Sequence, residues 1–365
     1  MKATVHPNYR DCILNISNSL LKHYGAKTFY GGQVELDEIL ARRFRHIAVF
    51  LIDGMGSRII DRHLSVKSFL RRHRIKDITT VCPSTTSAAT TAFLSGTSPL
   101  RNGWFGWQQY FERYNRHVIL FKNEDYYTGE PLNINIAKDD LPYESILSMI
   151  EKASKDTKAY TSIFEEQKRK FMRLGELCRL VKRNFRKDEK NFTYAYYTEL
   201  DSLMHEVGPE HRRVRRLLRK IDRNLARVHR AMGDDSLVIV IADHGQIAVE
   251  EMNLCEHPDL LKTISGKPSL EGRFTSLNVI DEEAFLRYYG EHLNPYFDLY
   301  TKAEIIKKHF FGPEDETAYA SFLGNYFLVA KDRYIITYHD GPMNIHKGHH
   351  AGLTEEEMLI PLIAF

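Results

Sequence analysis

Asp243 and His244 leave one apolar run together, in Leu237-Val-Ile-Val-Ile-Ala-Asp243-His244-Gly245. Two polar residues at the end of a buried strand cost free energy unless they are paired or ligated, so the pair reads as part of a site. Asp201 and His205 stand four positions apart directly after another strand-like run. In a helix that spacing turns both side chains to one side, and carboxylate with imidazole is a suitable zinc donor set. Asp53 closes the run Val49-Phe-Leu-Ile52 and is followed by Gly54 and Gly56, which permit a tight turn beside it. Near the C-terminus, Lys347-Gly-His349-His350 supplies two further imidazoles before the last apolar run.

A hydroxyl completes the set. In Val81-Cys-Pro-Ser-Thr-Thr86-Ser87 a strand leads through Pro83 into a helix expected to start near Thr86 or Ser87. A hydroxyl there faces unpaired helical N–H groups, which can support a phosphoryl oxyanion. The same position is a preferred N-cap, and Ser84, Thr85 and Ser87 compete for the role on chemistry alone. Six ligands with a hydroxyl can hold two ions, the number that clamps the attacking and leaving oxygens in phosphoryl transfer. Zinc is the expected metal, with manganese as the alternative.

These residues need a scaffold. The chain of 365 residues exceeds the roughly 250–300 at which one hydrophobic core stops growing, so a main domain with an insertion is expected. Apolar runs alternate with helical patterns: a strand over His46–Ile52, a helix near Ser57–Arg71, a strand over Ile78–Val81, then a helix from about Ser87. Phe192–Tyr197 resumes the series, followed by an amphipathic helix to about Met232, a strand over Leu237–Ala242 and a last strand over Leu359–Phe365. Between Glu256 and Pro342 the texture changes to short segments between Gly, Pro and Asp clusters, as expected of an α+β cap. We therefore expect a catalytic core at 1–256 and 343–365 with a cap at 257–342. Trp104–Asp140, rich in aromatic residues, is a second irregular stretch that could lie over the site.

Composition restricts the partners. Hydrophobic residues at 43% and charged ones at 27% exclude a disordered or fibrous chain. The formal charge of +3 indicates no particular partner. Basic residues crowd Lys168–Lys190 and Arg212–Arg230, but Val214, Leu217, Leu218, Ile221, Leu225 and Val228 recur at helical spacing, so the arginines read as a solvated helix face. Neither a nucleic acid nor a membrane is indicated. Cys12, Cys82, Cys178 and Cys255 have no paired spacing, and the N-terminus has no apolar run of signal-peptide length. A cytoplasmic protein with Asp and His as its only metal donors is the expectation.

Taken in order, the motifs resemble the alkaline phosphatase superfamily, most closely its type I phosphodiesterase and nucleotide pyrophosphatase branch. The resemblance covers the strands and motif loops over nearly the whole chain and is weakest in Trp104–Asp188 and the cap. It implies a three-layer α/β/α sandwich with a mostly parallel central sheet and a cap over two metals. Carried over residue by residue, it places Asp53, Thr86, Asp243 and His244 around one ion and Asp201, His205 and His350 around the other. Pro83-Ser-Thr-Thr86 matches the family's Pro-Thr-Lys-Thr motif, whose second Thr is the nucleophile. His350-Ala-Gly352 matches its His-Gly-Gly element, which favours His350 over His349.

Departures bear on the substrate. Where family members continue with Phe-Pro-Asn-His, this chain reads Ser87-Ala-Ala-Thr90, and Trp107 stands near the expected phosphoryl-binding Asn, with Asn102 out of register. The first expectation is a hydrolase in which Thr86 attacks phosphorus to form a phosphothreonyl enzyme, acting on a small-molecule phosphodiester or nucleotide pyrophosphate. A phosphomonoesterase or phosphonate hydrolase is the alternative, and a non-catalytic metal-binding interaction module is the alternative from another class. Trp107 is a candidate to stack a substrate ring, and Arg273 in the cap a candidate third cation. The oligomeric state is not legible.

Overall fold

The structure, a computed structural model, describes residues 3–162, 172–341 and 345–365. The expected boundary at 342/343 and the first residues of the basic stretch from Lys168 lie outside the described residues. A six-stranded sheet carries the order 74–79, 359–364, 236–241, 46–52, 190–197, 157–161. His46–Ile52 lies at its centre, parallel to Lys190–Tyr197 on one side and to Ser236–Ile241 on the other. All seven of its residues are buried, as a strand covered on both faces requires. Only Leu359–Ala364 runs against the rest.

Helices form two groups, the second gathered around one long helix. Ile13–His23, Thr86–Ser95 and Ile146–Ala153 make one, while Ser57–His63, Phe69–Arg72, Leu174–Asn184, Glu199–Val207 and Arg212–His229 make the other. Together with the sheet they give a mixed α/β architecture with a central, mostly parallel sheet. In Arg212–His229 the apolar positions Val214, Leu218, Ile221, Leu225 and Val228 are buried and the arginines are exposed. No helix among the described residues is long and apolar enough to cross a membrane.

Several elements differ from the sequence pattern. The helix expected over Ser57–Arg71 breaks after His63 and resumes at Phe69, because Ser65 and Ser68 divert the chain into a turn closed by a Ser68 N–H bond to the Ser65 carbonyl. The strand expected over Ile78–Val81 is Arg74–Thr79, since Leu359–Ala364 pairs with its polar, half-buried first residues. The amphipathic helix starts as two, Glu199–Val207 and Arg212–His229, separated at Gly208-Pro209.

A second sheet of seven strands has the order 297–301, 326–330, 274–277, 269–270, 108–111, 116–119, 124–125, every pairing antiparallel. It therefore joins the aromatic stretch after Trp104 to the segments that follow Glu256. Two short pairings lie apart from both sheets: His349 lies opposite Ile247, and Glu250–Asn253 runs parallel to Tyr334–Thr337.

Candidate active site

The site sits where the parallel strands end. Asp53 follows the central strand, its N–H held by the Tyr197 carbonyl at 2.9 Å. Gly54 then turns the chain at φ +71, where a Cβ would come within 3.1 Å of Asp201 Cβ. Glycine is needed there for both conformation and space. Gly245, after Asp243-His244, is tighter still: a Cβ would lie 1.8 Å from the Glu356 carbonyl oxygen.

Thr85 is the N-cap of the helix Thr86–Ser95, so Thr86 is its first residue. Its Oγ1 lies 3.0 Å from His244 Nε2 and 3.5 Å from Asp53 Oδ1. Tyr196, which no sequence pattern singled out, donates its hydroxyl to the other Asp53 oxygen. On the helix Glu199–Val207 the i, i+4 pair converges, with His205 Nε2 3.2 Å from Asp201 Oδ2. His350 Nε2 reaches Asp201 Oδ1 at 4.0 Å, and its ring stacks on His244 at a centroid distance of 3.7 Å.

The three histidines share one orientation. His244 Nδ1 lies 2.9 Å from the Gly245 carbonyl, His205 Nδ1 2.8 Å from that of Gly348, and His350 Nδ1 3.1 Å from that of Ser84. A carbonyl oxygen only accepts, so each Nδ1 carries a proton and each Nε2 faces the cluster, the arrangement typical of metal-binding imidazoles.

Electrostatics agree with a cation-binding cluster. Burial, followed by the nearby Asp243 and Asp201 carboxylates, raises the Asp53 carboxyl well above its ordinary range. Burial also acts to raise Asp201, but the His205 imidazole and the Gln246 amide hold it down to about 2. Asp243 Oδ1 accepts the N–H groups of Gly54 and His244 at 3.0 Å each, while Oδ2 is buried without a hydrogen-bond partner. An unpartnered buried carboxylate oxygen among two other carboxylates fits a bound divalent cation.

Donor atoms of Asp53, Asp201 and His244 lie within 4.8 Å of one another, as do those of Asp201, His205 and His350, so Asp201 belongs to both groups. His205, His346 and His349 form a third such group. Asn102, by contrast, is buried and donates to the Thr97 carbonyl at 3.0 Å.

A cavity of about 620 Å³ opens over Thr86, Asp201, His205 and His350, walled by Trp107, Tyr126, Tyr127 and Tyr338 from the second sheet and its flanks. Trp107 lines the cavity. Arg273 does not. Its guanidinium is fully buried and binds Glu357 at 2.6 and 2.8 Å and the Asp332 carbonyl at 2.8 Å, so the role of third cation at the substrate is corrected to a structural ion pair. The segment presents Glu271 to the cavity instead. The Trp107 N–H donates to Glu271 Oε1 at 2.6 Å. Burial pushes this carboxyl up to about 7, against the opposing pull of the Thr85 hydroxyl, the Trp107 N–H and the His205 imidazole.

Among curated proteins nothing matches the chain. Among solved structures, murine ectonucleotide pyrophosphatase / phosphodiesterase 5 in complex with AMP is similar at 15% identity and a TM-score of 0.65, over 88% of this chain and 87% of that one. The human ectonucleotide pyrophosphatase / phosphodiesterase 5 matches at 15% identity and 0.65, over 87% of each chain. Phosphonoacetate hydrolase from Sinorhizobium meliloti, in complex with phosphonoacetate, matches at 16% and 0.63, over 87% of this chain and 89% of the other. The family model for type I phosphodiesterase / nucleotide pyrophosphatase spans residues 47–353, from the central strand through the His350 loop. On that match the chain belongs to the type I phosphodiesterase / nucleotide pyrophosphatase family.

Proposed function

We propose that the protein is a divalent-metal-dependent phosphodiesterase with Thr86 as nucleophile and a phosphothreonine intermediate. The observation that carries the reading is the setting of Thr86: a hydroxyl on the first residue of a helix, 3.0 Å from His244 Nε2, beside Asp53 and open to the cavity. Asp53, Thr86, Asp243 and His244 would hold one ion, and Asp201, His205 and His350 a second, with zinc the first candidate and manganese the other. Bound there, divalent cations supply charge neutralisation for the phosphoryl group and favour the ionised hydroxyl.

The chain's own groups account for the remaining requirements. His244 and Asp53 orient Thr86 Oγ1, and the start of the helix behind it favours negative charge on the phosphoryl oxygens. Attack forms the Thr86 Oγ1–P bond and expels one alcohol, and water then cleaves the phosphothreonine. Glu271 supports a diester over a monoester, because a carboxyl beside the cluster repels the second negative charge that a monoester carries. It equally disfavours a substrate that carries its own carboxylate, such as the phosphonoacetate held by the bacterial relative.

The test is hydrolysis of an aryl phosphodiester by protein reconstituted with zinc or manganese. Thr86→Ala should lower turnover by roughly several orders of magnitude with fold and metal content kept, and Thr85→Ala should not. No turnover of diester, monoester or phosphonate by the loaded protein would favour the non-catalytic module. Undiminished turnover by Thr86→Ala would remove the nucleophile assignment.

A further inference from the structure

The cavity holds one carboxyl that the chemistry above does not consume. Glu271 is 7% exposed and lines the cavity together with His205, Trp107 and Tyr126. It therefore sits between the candidate metal ligands and the aromatic wall. No lysine or arginine among the described residues forms an ion pair with it; the positive influence it feels is the His205 imidazole.

Its placement is held by strain. Leu270, fully buried, adopts φ +74, a left-handed conformation that is unfavourable for a non-glycine residue. Gly106 accommodates this kink, since a Cβ at 106 would meet Leu270 Cα at 3.0 Å. Strain retained at a cavity wall directs attention to the side chain it aims.

A buried acidic group without a cationic partner is costly, and beside a phosphoryl anion it is repelled as well. Both costs are relieved if the substrate brings the cation. The surrounding rings suit one: Tyr127, in the same wall, already carries the Lys267 ammonium 4.1 Å above its centroid, and aromatic faces attract ammonium groups. We propose that Glu271 determines specificity by binding a protonated amine on one of the two alcohols esterified to phosphorus, with Trp107 and Tyr126 covering the same group. The inference rests on the phosphodiesterase reading and adds the class of substrate to it.

The experiment compares three probes on the metal-loaded full chain: 4-nitrophenyl phosphodiesters whose second alcohol is 2-aminoethyl, 2-hydroxyethyl or ethyl. The wild-type protein should prefer the aminoethyl probe by roughly tenfold to a hundredfold in kcat/KM, the range of a charge-assisted hydrogen bond. Glu271→Gln keeps an acceptor for the Trp107 N–H and removes the charge. It should erase that preference through KM, with the ethyl and hydroxyethyl probes shifted alike by the loss of repulsion between the carboxylate and the phosphoryl anion. Equal kcat/KM for all three probes in the wild-type protein overturns the proposal and leaves the phosphodiesterase reading intact. So does a hydroxyethyl probe as good as the aminoethyl one, or a Glu271→Gln variant that slows all three alike, which would make Glu271 a positioning residue for the Thr85 and Trp107 segments. Hydrolysis of none of the probes overturns both readings.

Discussion

Replacing Glu271 with Gln should stabilise the fold at alkaline pH and leave it unchanged in acid. In the unfolded chain this carboxyl ionises near the usual 4.5, whereas in the folded protein burial holds it at about 7. Between those values unfolding releases a proton, so the wild-type protein loses stability as pH rises and the full penalty is reached above about 7. At about 1.4 kcal/mol for each pH unit, the move from 4.5 to about 7 amounts to about 3 kcal/mol. The side chain is almost wholly inside the protein, so solvent screening does not reduce the figure appreciably. Glutamine has no proton to lose. Urea unfolding of both proteins from pH 4 to 8.5 in one buffer series gives the difference, because titration of the groups that Glu271 does not influence cancels between them. Relative to the wild-type protein, the variant should gain about 3 kcal/mol on going from the acid to the alkaline end. A difference that stays constant across the series refutes the claim that burial, rather than local hydrogen bonding, controls Glu271.

Other perturbations act on the donor cluster and its frame. Reconstituted protein should contain two divalent ions per chain by elemental analysis, and His350→Ala should reduce that content more than His349→Ala does; equal losses would undo the choice of His350. Gly245→Ala should cost several kcal/mol, roughly the scale of severe overpacking, since its Cβ would fall 1.8 Å from the Glu356 carbonyl oxygen. A variant that melts with the wild-type protein would show that this contact is not constrained. Arg273→Ala should cost roughly 3–5 kcal/mol by leaving Glu357 buried and unpaired, with the ratio of diester to monoester turnover unmoved. A changed ratio would return Arg273 to the substrate.

How far the site could be read in advance depends on where its information lies along the chain. The central strand and the Asp243-His244 pair are legible because an uninterrupted apolar run that ends in polar residues has one economical explanation. Asp201 and His205 are legible for a related reason, the helical spacing being local. Arg273 shows the opposite case. Sequence identifies a cation near the cap, but whether it faces a substrate or a buried carboxylate depends on Glu357, 84 residues away. Tyr196 reaches Asp53 across 143 residues and Gln246 reaches Asp201 across 45, so neither contact leaves a mark on local periodicity. The strands at 108–125 are short and aromatic without clear alternation, and they join the second sheet only because Leu270 pairs with Gln108.

The Arg273–Glu357 pair also limits what can be exchanged between relatives of this protein. Glu357 binds the arginine with both oxygens and at the same time accepts the Gly352 N–H at 2.8 Å and the Thr354 hydroxyl at 2.7 Å, in the loop that delivers His350. The second sheet is therefore keyed into the loop of a candidate metal ligand by a lock whose two halves lie in different segments. A chimera that imports another protein's residues in place of 269–330 keeps the acidic half and discards the basic one. Grafts of that kind should succeed only when an arginine is restored opposite Glu357, or when Glu357 is replaced along with the graft.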